Sequence, residues 1–481
     1  MTLPTIWLLF LLLVPTGDQA ENPWKGKVPA ANAAAEKQQT VAAYRDALDT
    51  AWRADEWQVG LDLASRAAQK FPDNHIIVGR AARAMWRAGE IYAAERLAGA
   101  IDPEKADAVG LRTRIGIHLA RGENAEALRL GKLLERTEDE SAETLLRQVA
   151  LRFVDQRFDG MGALIRKVEK TIKPENGYPE TLAAESIGGL AGFFEKIGND
   201  RINQIAAYGS VPMPVLRMAN LPYCEVMING HGPYRVVVDT GGSVTLSIDT
   251  EVAEECGLKS LGEAAIRGVS GLDQSQQALV DELLLGEIRC RRVMTRVFGV
   301  RQAVMGLADG VLGTGVFADG RMKLDFANAR MEVRASSDAA GEGLAVEARI
   351  IEDAKIMVPV KINGEHAVAL FDTGADAAAI APSRMRKLYP DHSGMRVEAP
   401  MGGVGQGAAP TIEVTRGVTM ELPGRKFEQF SGLGLDVLDK ILGPFLGMQG
   451  DVLVGMPVFR EMRSMTVDFA KSRLWVDWLK E

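Results

Sequence analysis

Two apolar runs in this chain each end in Asp-Thr-Gly: Val236-Val237-Val238-Asp239-Thr240-Gly241 and Leu370-Phe371-Asp372-Thr373-Gly374, with the aspartates 372 − 239 = 133 residues apart. A short apolar run reads as a buried strand. A strand that ends this way puts a carboxylate at the lip of a sheet. The glycine lets the backbone turn sharply and another chain come close. One chance Asp-Thr-Gly is expected in roughly one chain in ten of this length, and two far more rarely. A plain turn would also leave the repeated flanks unexplained. Two carboxylates brought face to face cannot both ionise, so they share a proton and titrate as a pair.

The flanks repeat in order. Ile228-Asn229-Gly230 precedes the first motif and Ile362-Asn363-Gly364 the second. Asn-Gly between apolar runs is a strong hairpin signal. Downstream come the glycine-rich stretches Gly268-Val269-Ser270-Gly271 and Gly402-Gly403-Val404-Gly405-Gln406-Gly407, then the apolar Gly310–Gly313 and Asp451–Gly455. Last are Met322–Val333 and Met465–Val476, which share Met-x-aliphatic-Asp-Phe-Ala-x-x-Arg at an offset of 468 − 325 = 143. Landmarks matching in one order indicate an internal duplication.

On these residues the chain resembles the retropepsin-like aspartic proteases, in particular bacterial forms with two lobes in one chain. The resemblance covers residues 206–481. It implies a mostly-β, two-lobed acid-protease fold with Asp239 and Asp372 as the catalytic dyad. It also implies Thr240 and Thr373 bonded across the lobe interface, with Gly241 and Gly374 permitting the turns. Gly268, Val269, Ser270, Gly402, Gly403 and Val404 would belong to flaps over the substrate, and Asp376 would contact substrate backbone, with Ser243 at the matching place. The chain departs from the family in three respects. Gly242 and Ala375 stand where pepsin-like enzymes carry a hydroxyl, neither flap has a tyrosine, and Met456 replaces the retroviral arginine. A missing hydroxyl removes a hydrogen bond to the carboxylate, so an optimum less acidic than pepsin's is expected.

Ahead of this region, residues 36–200 follow a 3.6-residue period rich in Ala, Leu, Arg and Glu. Turn signals recur at Asp55, Gly89, Gly122 and Asp155, spaced by 33 or 34 residues, and Gly60, Ala94 and Ala127 follow the first three at a fixed offset. The pattern resembles tetratricopeptide repeats, about four units. A stacked helical solenoid of this kind often binds peptides on its concave face. A plain helical bundle is the alternative.

The expected organisation is multidomain: a signal peptide over 1–20, helical repeats over 36–200, and protease lobes over 206–335 and 344–481. Residues 201–222, with three prolines, read as a linker, and Ser336–Gly343 as the join between lobes. Short helices are expected over 251–257 and 383–390. The second lobe carries an insertion within 432–450 that would shape the cleft rim. The apolar run Ile6–Val14 before Ala20 reads as an export signal, with an uncleaved anchor as the lesser reading.

Other chemistries are missing. The five histidines form no His-Glu-x-x-His or Cys/His set, so no metal is expected, and no Gly-x-Ser-x-Gly elbow or phosphate-binding loop occurs. His231 and His366 read as exposed loop residues beside the Asn-Gly turns. A net charge of −8 without a basic block argues against nucleic acid. Cys224, Cys256 and Cys290 allow one disulfide at most, or none. The reading is an exported aspartic endopeptidase that needs no cofactor. Its partners are a peptide or protein substrate and a protein partner on the repeats. Two lobes in one chain make a dimer unnecessary. The rival is a non-catalytic peptide- or protein-binding scaffold.

Overall fold

The computed structural model describes residues 6–7, 22–172, 187–242, 245–268, 271–304, 306–351, 354–388, 395–398, 401–402, 411–434, 438 and 447–480. The chain divides into two units. One comprises Thr16–Asn199 with Gly443–Gln449, the other Met1–Pro15, Asp200–Leu442 and Gly450–Glu481.

The first unit is helical: α1 (Val28–Gln38), α2 (Val41–Ala54), α3 (Trp57–Lys70), α4 (His75–Arg87), α5 (Ile91–Gly99), α6 (Ala108–Ala120), α7 (Asn124–Glu135), α8 (Ala142–Val154), α9 (Met161–Thr171) and α10 (Leu190–Ile197). Even-numbered helices from α2 to α8 start on side-chain caps: Thr40, Asn74, Asp107 and Ser141 each accept a backbone N–H from the first turn. The caps are spaced 34, 33 and 34 residues apart (74 − 40, 107 − 74, 141 − 107). These same helices pack one on the next, α2 on α4, α4 on α6, α6 on α8. Ala94 and Ala127 are fully buried, and Gly60 lies against Ala84 and Ala51.

Between the capped helices runs a ladder of ion pairs. Arg80 bonds Asp49 and Asp107, Arg83 bonds Asp49, and Arg112 bonds Asp139 and Glu143. All three guanidiniums are buried. They line a cavity of about 300 Å³ with Trp52, Arg53, Ser141 and the same acids. Each arginine faces carboxylates inside the cavity, so its desolvation is offset locally. Within this unit the Gln449 N–H donates to the Arg87 carbonyl at 2.9 Å. The described end of the second-lobe insertion, Gly447–Gln449, thus belongs to the helical unit.

The second unit is β-rich. In lobe 1 the strand order is Gln204–Ala207, Ile288–Val297, Leu246–Ile248, Gly310–Gly313, His231–Asp239, Tyr223–Ile228, Gly271–Leu285 and Gly262–Gly268. Gly271–Leu285 also pairs with Ile288–Val297, which closes the sheet on itself. Lobe 2 repeats the plan, from Arg349–Ile351 through Lys355–Ile362, Glu365–Phe371, Val452–Val454, Ala379–Ile380, Arg425–Gly434 and Thr411–Leu422 to Met395–Glu398. It closes where Lys355–Ile362 meets Thr411–Leu422. Closure leaves fewer open edges and buries the strands on both faces, which is why Val236, Val237 and Val238 are all solvent-free.

The third sheet unites the lobes. Its order is Leu344–Val346, Arg473–Trp478, Met462–Asp468, Gly320–Asp325, Arg330–Ala335 and Gly209–Pro212. The two copies of the Met-x-aliphatic-Asp-Phe-Ala segment pair antiparallel here, with Met322 opposite Val467 and Leu324 opposite Met465.

Two expectations need correction. Residues 201–222 are not a linker: Gln204–Ala207 pairs with Ile288–Val297, and Gly209–Pro212 pairs with Arg330–Ala335. Pro212 ends the edge strand of its sheet, where a missing N–H costs no ladder bond. His231 and His366 lie in strands, the first exposed and the second half-buried. The cysteines are free and buried. Short helices fall at Thr250–Glu255 and Pro382–Leu388. Among the described residues no helix is long and apolar enough to cross a membrane.

Candidate active site

Each Asp-Thr-Gly loop is built from a hairpin and a supporting strand. Asn229 and Gly230 take φ 49° and 82°, and Asn363 and Gly364 take φ 49° and 82°, the left-handed pair that a two-residue hairpin turn requires. The returning strands, His231–Asp239 and Glu365–Phe371, run into the loops. A parallel strand holds each end in place. Gly313 stands opposite Asp239, and the Asp372 N–H donates to the Val454 carbonyl at 3.0 Å.

The loops then lock to one another. The Thr240 N–H donates to Thr373 Oγ1 at 3.1 Å, and the Thr373 N–H donates to Thr240 Oγ1 at 3.0 Å. Each hydroxyl donates onward to the strand entering the opposite loop, Thr240 to the Phe371 carbonyl at 2.9 Å and Thr373 to the Val238 carbonyl at 2.7 Å. All four bonds are buried, and every hydroxyl both donates and accepts.

This lock sets the carboxyls against the opposite loops. A Cβ added at Gly241 would sit 2.4 Å from Asp372 Cγ, and one at Gly374 would sit 2.6 Å from Asp239 Cγ. Only glycine permits this approach. Asp239 and Asp372 are both 0% exposed.

Burial pushes both carboxyls up. Asp239 rises to about 6, opposed by the shared proton of Asp372 and by the Gly241 and Gly242 amides. Asp372 rises well above the ordinary carboxyl value through burial and then through the negative charge of Asp239, against one direct bond from the Gly374 N–H at 2.8 Å. Both carboxyls are therefore raised and they titrate as one coupled pair, which holds a single proton between its first and second ionisation.

The remaining site residues are placed unevenly. Gly268 pairs with Gly271 at the end of a long hairpin over Gly262–Leu285, and Val269 and Ser270 at its tip lie outside the described residues. Gly402 is in a two-residue parallel ladder with Ile6–Trp7, while Gly403, Val404 and Ser243 lie outside the described residues. Asp376 is half-buried, four residues on from Asp372. Met456 is buried and its N–H donates to the Ala375 carbonyl at 2.8 Å, so it braces the loop through its backbone. Among the described residues no group of three metal-binding side chains is found. One charged neighbour of the dyad went unread in the sequence. It is Lys355, which is 1% exposed and acts on both carboxyls. The duplication could have exposed it, because the matching position in lobe 1 is Leu221.

Two closed β lobes joined by a shared sheet, with one buried carboxyl from each meeting at a hydrogen-bonded centre, define an acid-protease type of site. The family model described as Aspartyl protease matches residues 224–316 and 358–458, a segment in each lobe that includes its Asp-Thr-Gly. The chain thus carries an aspartic protease-like domain. No curated protein matches it. Among solved structures, an aspartic proteinase from Irpex lacteus is 13% identical, with a TM-score of 0.33, over 57% of this chain and 98% of that one.

Proposed function

We propose that this protein is an exported, monomeric aspartic endopeptidase whose helical unit holds substrate or a partner protein. The observation that carries the reading is the pair of fully buried carboxyls, one from each lobe, each packed on the glycine of the opposite loop.

Such a pair has the two groups that peptide hydrolysis needs. Asp239 takes a proton from water as the oxygen attacks the scissile carbonyl carbon. Asp372 gives its proton to the carbonyl oxygen. The tetrahedral diol collapses, the C–N bond breaks, and the departing amine takes a proton from the dyad. The burial that raises both carboxyls also strengthens each interaction with the developing charge. The long hairpin over Gly262–Leu285 and its lobe 2 counterpart, Met395–Glu398 with Thr411–Leu422, would close over an extended substrate strand.

The helical unit supports the second half of the proposal through its regular 33- and 34-residue spacing and its row of packed, capped helices, which suit a stacked solenoid. Its cavity offers backbone-scale polarity of both signs. Export rests on the apolar run Ile6–Val14 alone.

Proteomic cleavage profiling of the wild type beside Asp372→Asn tests the assignment, with a statine-type inhibitor as a further arm. Internal cleavages that vanish in Asp372→Asn support it. Peptides that bind but stay intact, with binding unchanged in Asp239→Ala, would establish a receptor instead.

A further inference from the structure

Lys355 opens the strand Lys355–Ile362 and is 1% exposed. Its neighbour Ile356 stands opposite Phe371 in the antiparallel pair with Glu365–Phe371, so the next position along places Lys355 across from Asp372. In lobe 1 the last pair of the ladder is Tyr223 opposite Val237, and two further positions along the same register put Leu221 across from Asp239. Leu221 is fully buried. The duplicated framework therefore presents an apolar side chain at one carboxyl and a cation at the other. A buried ammonium is costly unless negative charge lies near. The positive charge of Lys355 draws both dyad carboxyls down, against the burial that raises them.

We propose that Lys355 is a positioning residue for the dyad: its buried ammonium, set across the strand pair from Asp372, keeps the dry centre singly ionised rather than doubly protonated. The role rests on the protease reading above. Lys355 acts through the carboxyls.

The test uses Lys355→Met and Lys355→Gln as neutral variants and Lys355→Arg as the charge-keeping one, all in the full-length chain. The first readout is kcat/KM against pH on a peptide taken from the cleavage profile. In the neutral variants the acid limb moves up by about one pH unit or more, and in Lys355→Arg it stays near the wild-type position. The second readout is the carboxyl ¹³C titration of Asp239 and Asp372 in aspartate-labelled protein, which needs no turnover. A midpoint that rises in whichever neutral variant folds, and returns in Lys355→Arg, supports the role. An unmoved midpoint, or activity lost evenly at every pH, overturns it. A shifted midpoint in a protein that cuts no peptide would sink the protease reading and leave the electrostatic role of Lys355 standing.

Discussion

Thr240 and Thr373 hold one another by exchanging backbone N–H donors, at 3.1 and 3.0 Å, across the boundary between two lobes whose sequences are 133 residues apart at this point. Thr240→Val keeps the shape but takes the Oγ1 acceptor from the buried Thr373 N–H and removes the hydroxyl's bond to the Phe371 carbonyl. Destabilisation by ~2–4 kcal/mol is expected in urea titration. Thr240→Ser, which retains both bonds, should stay within ~1 kcal/mol of the wild type. Equal losses in the two variants would contradict this account.

Gly241 and Gly374 are where the opposite carboxyls come to rest. Gly374→Ala would place a methyl carbon 2.6 Å from Asp239 Cγ and so drive the dyad apart. Peptidase kcat should fall by on the order of 100-fold. The circular dichroism spectrum should be unchanged, since the displaced group is a side chain at the cleft floor.

The rise of Asp239 to about 6 fixes a pH dependence. Peptide cleavage needs this group ionised, so kcat/KM should climb through an acid limb near pH 6, far from pepsin-like acidity. A profile that peaks below about pH 3 would contradict the assignment.

Stability follows with the opposite sign. Unfolded, Asp239 ionises near its ordinary value of 3.8; folded, it holds its proton to about 6. Between these values the native state binds more protons, so stability falls as pH rises and the loss is complete above the folded value. Asp239→Asn should therefore raise unfolding free energy at pH 7 by about 1–3 kcal/mol and change it little near pH ~3.5. Denaturant titrations at the two pH values decide it.

Burial pushes the Cys224 and Cys290 thiols up to about 12 and raises Cys256 as well. Thiolate, not thiol, is the reactive form. Native protein should leave Ellman's reagent untouched and release three equivalents only once unfolded, with no change in melting temperature on adding reductant.

Local chemistry made several features readable from the chain alone. Asn-Gly requires left-handed backbone at both residues, so the two hairpins at Asn229 and Asn363 announce themselves. Helix starts and turns repeat every 33 or 34 residues because each depends on a nearby cap or breaker. The strands at Gln204–Ala207 and Gly209–Pro212 were hidden, because prolines and glycines at a sheet edge look the same as those in a linker.

The sequence by itself determined a doubled framework with an Asp-Thr-Gly in each half, since apolar period, turn residues and internal repetition are all short-range properties. Only the tertiary structure decided that the two Met-x-aliphatic-Asp-Phe-Ala segments pair with one another and that each carboxyl lies on the other loop's glycine. These depend on contacts between residues more than a hundred positions apart. Their burial and field arise from what surrounds them in space, and no local pattern encodes that.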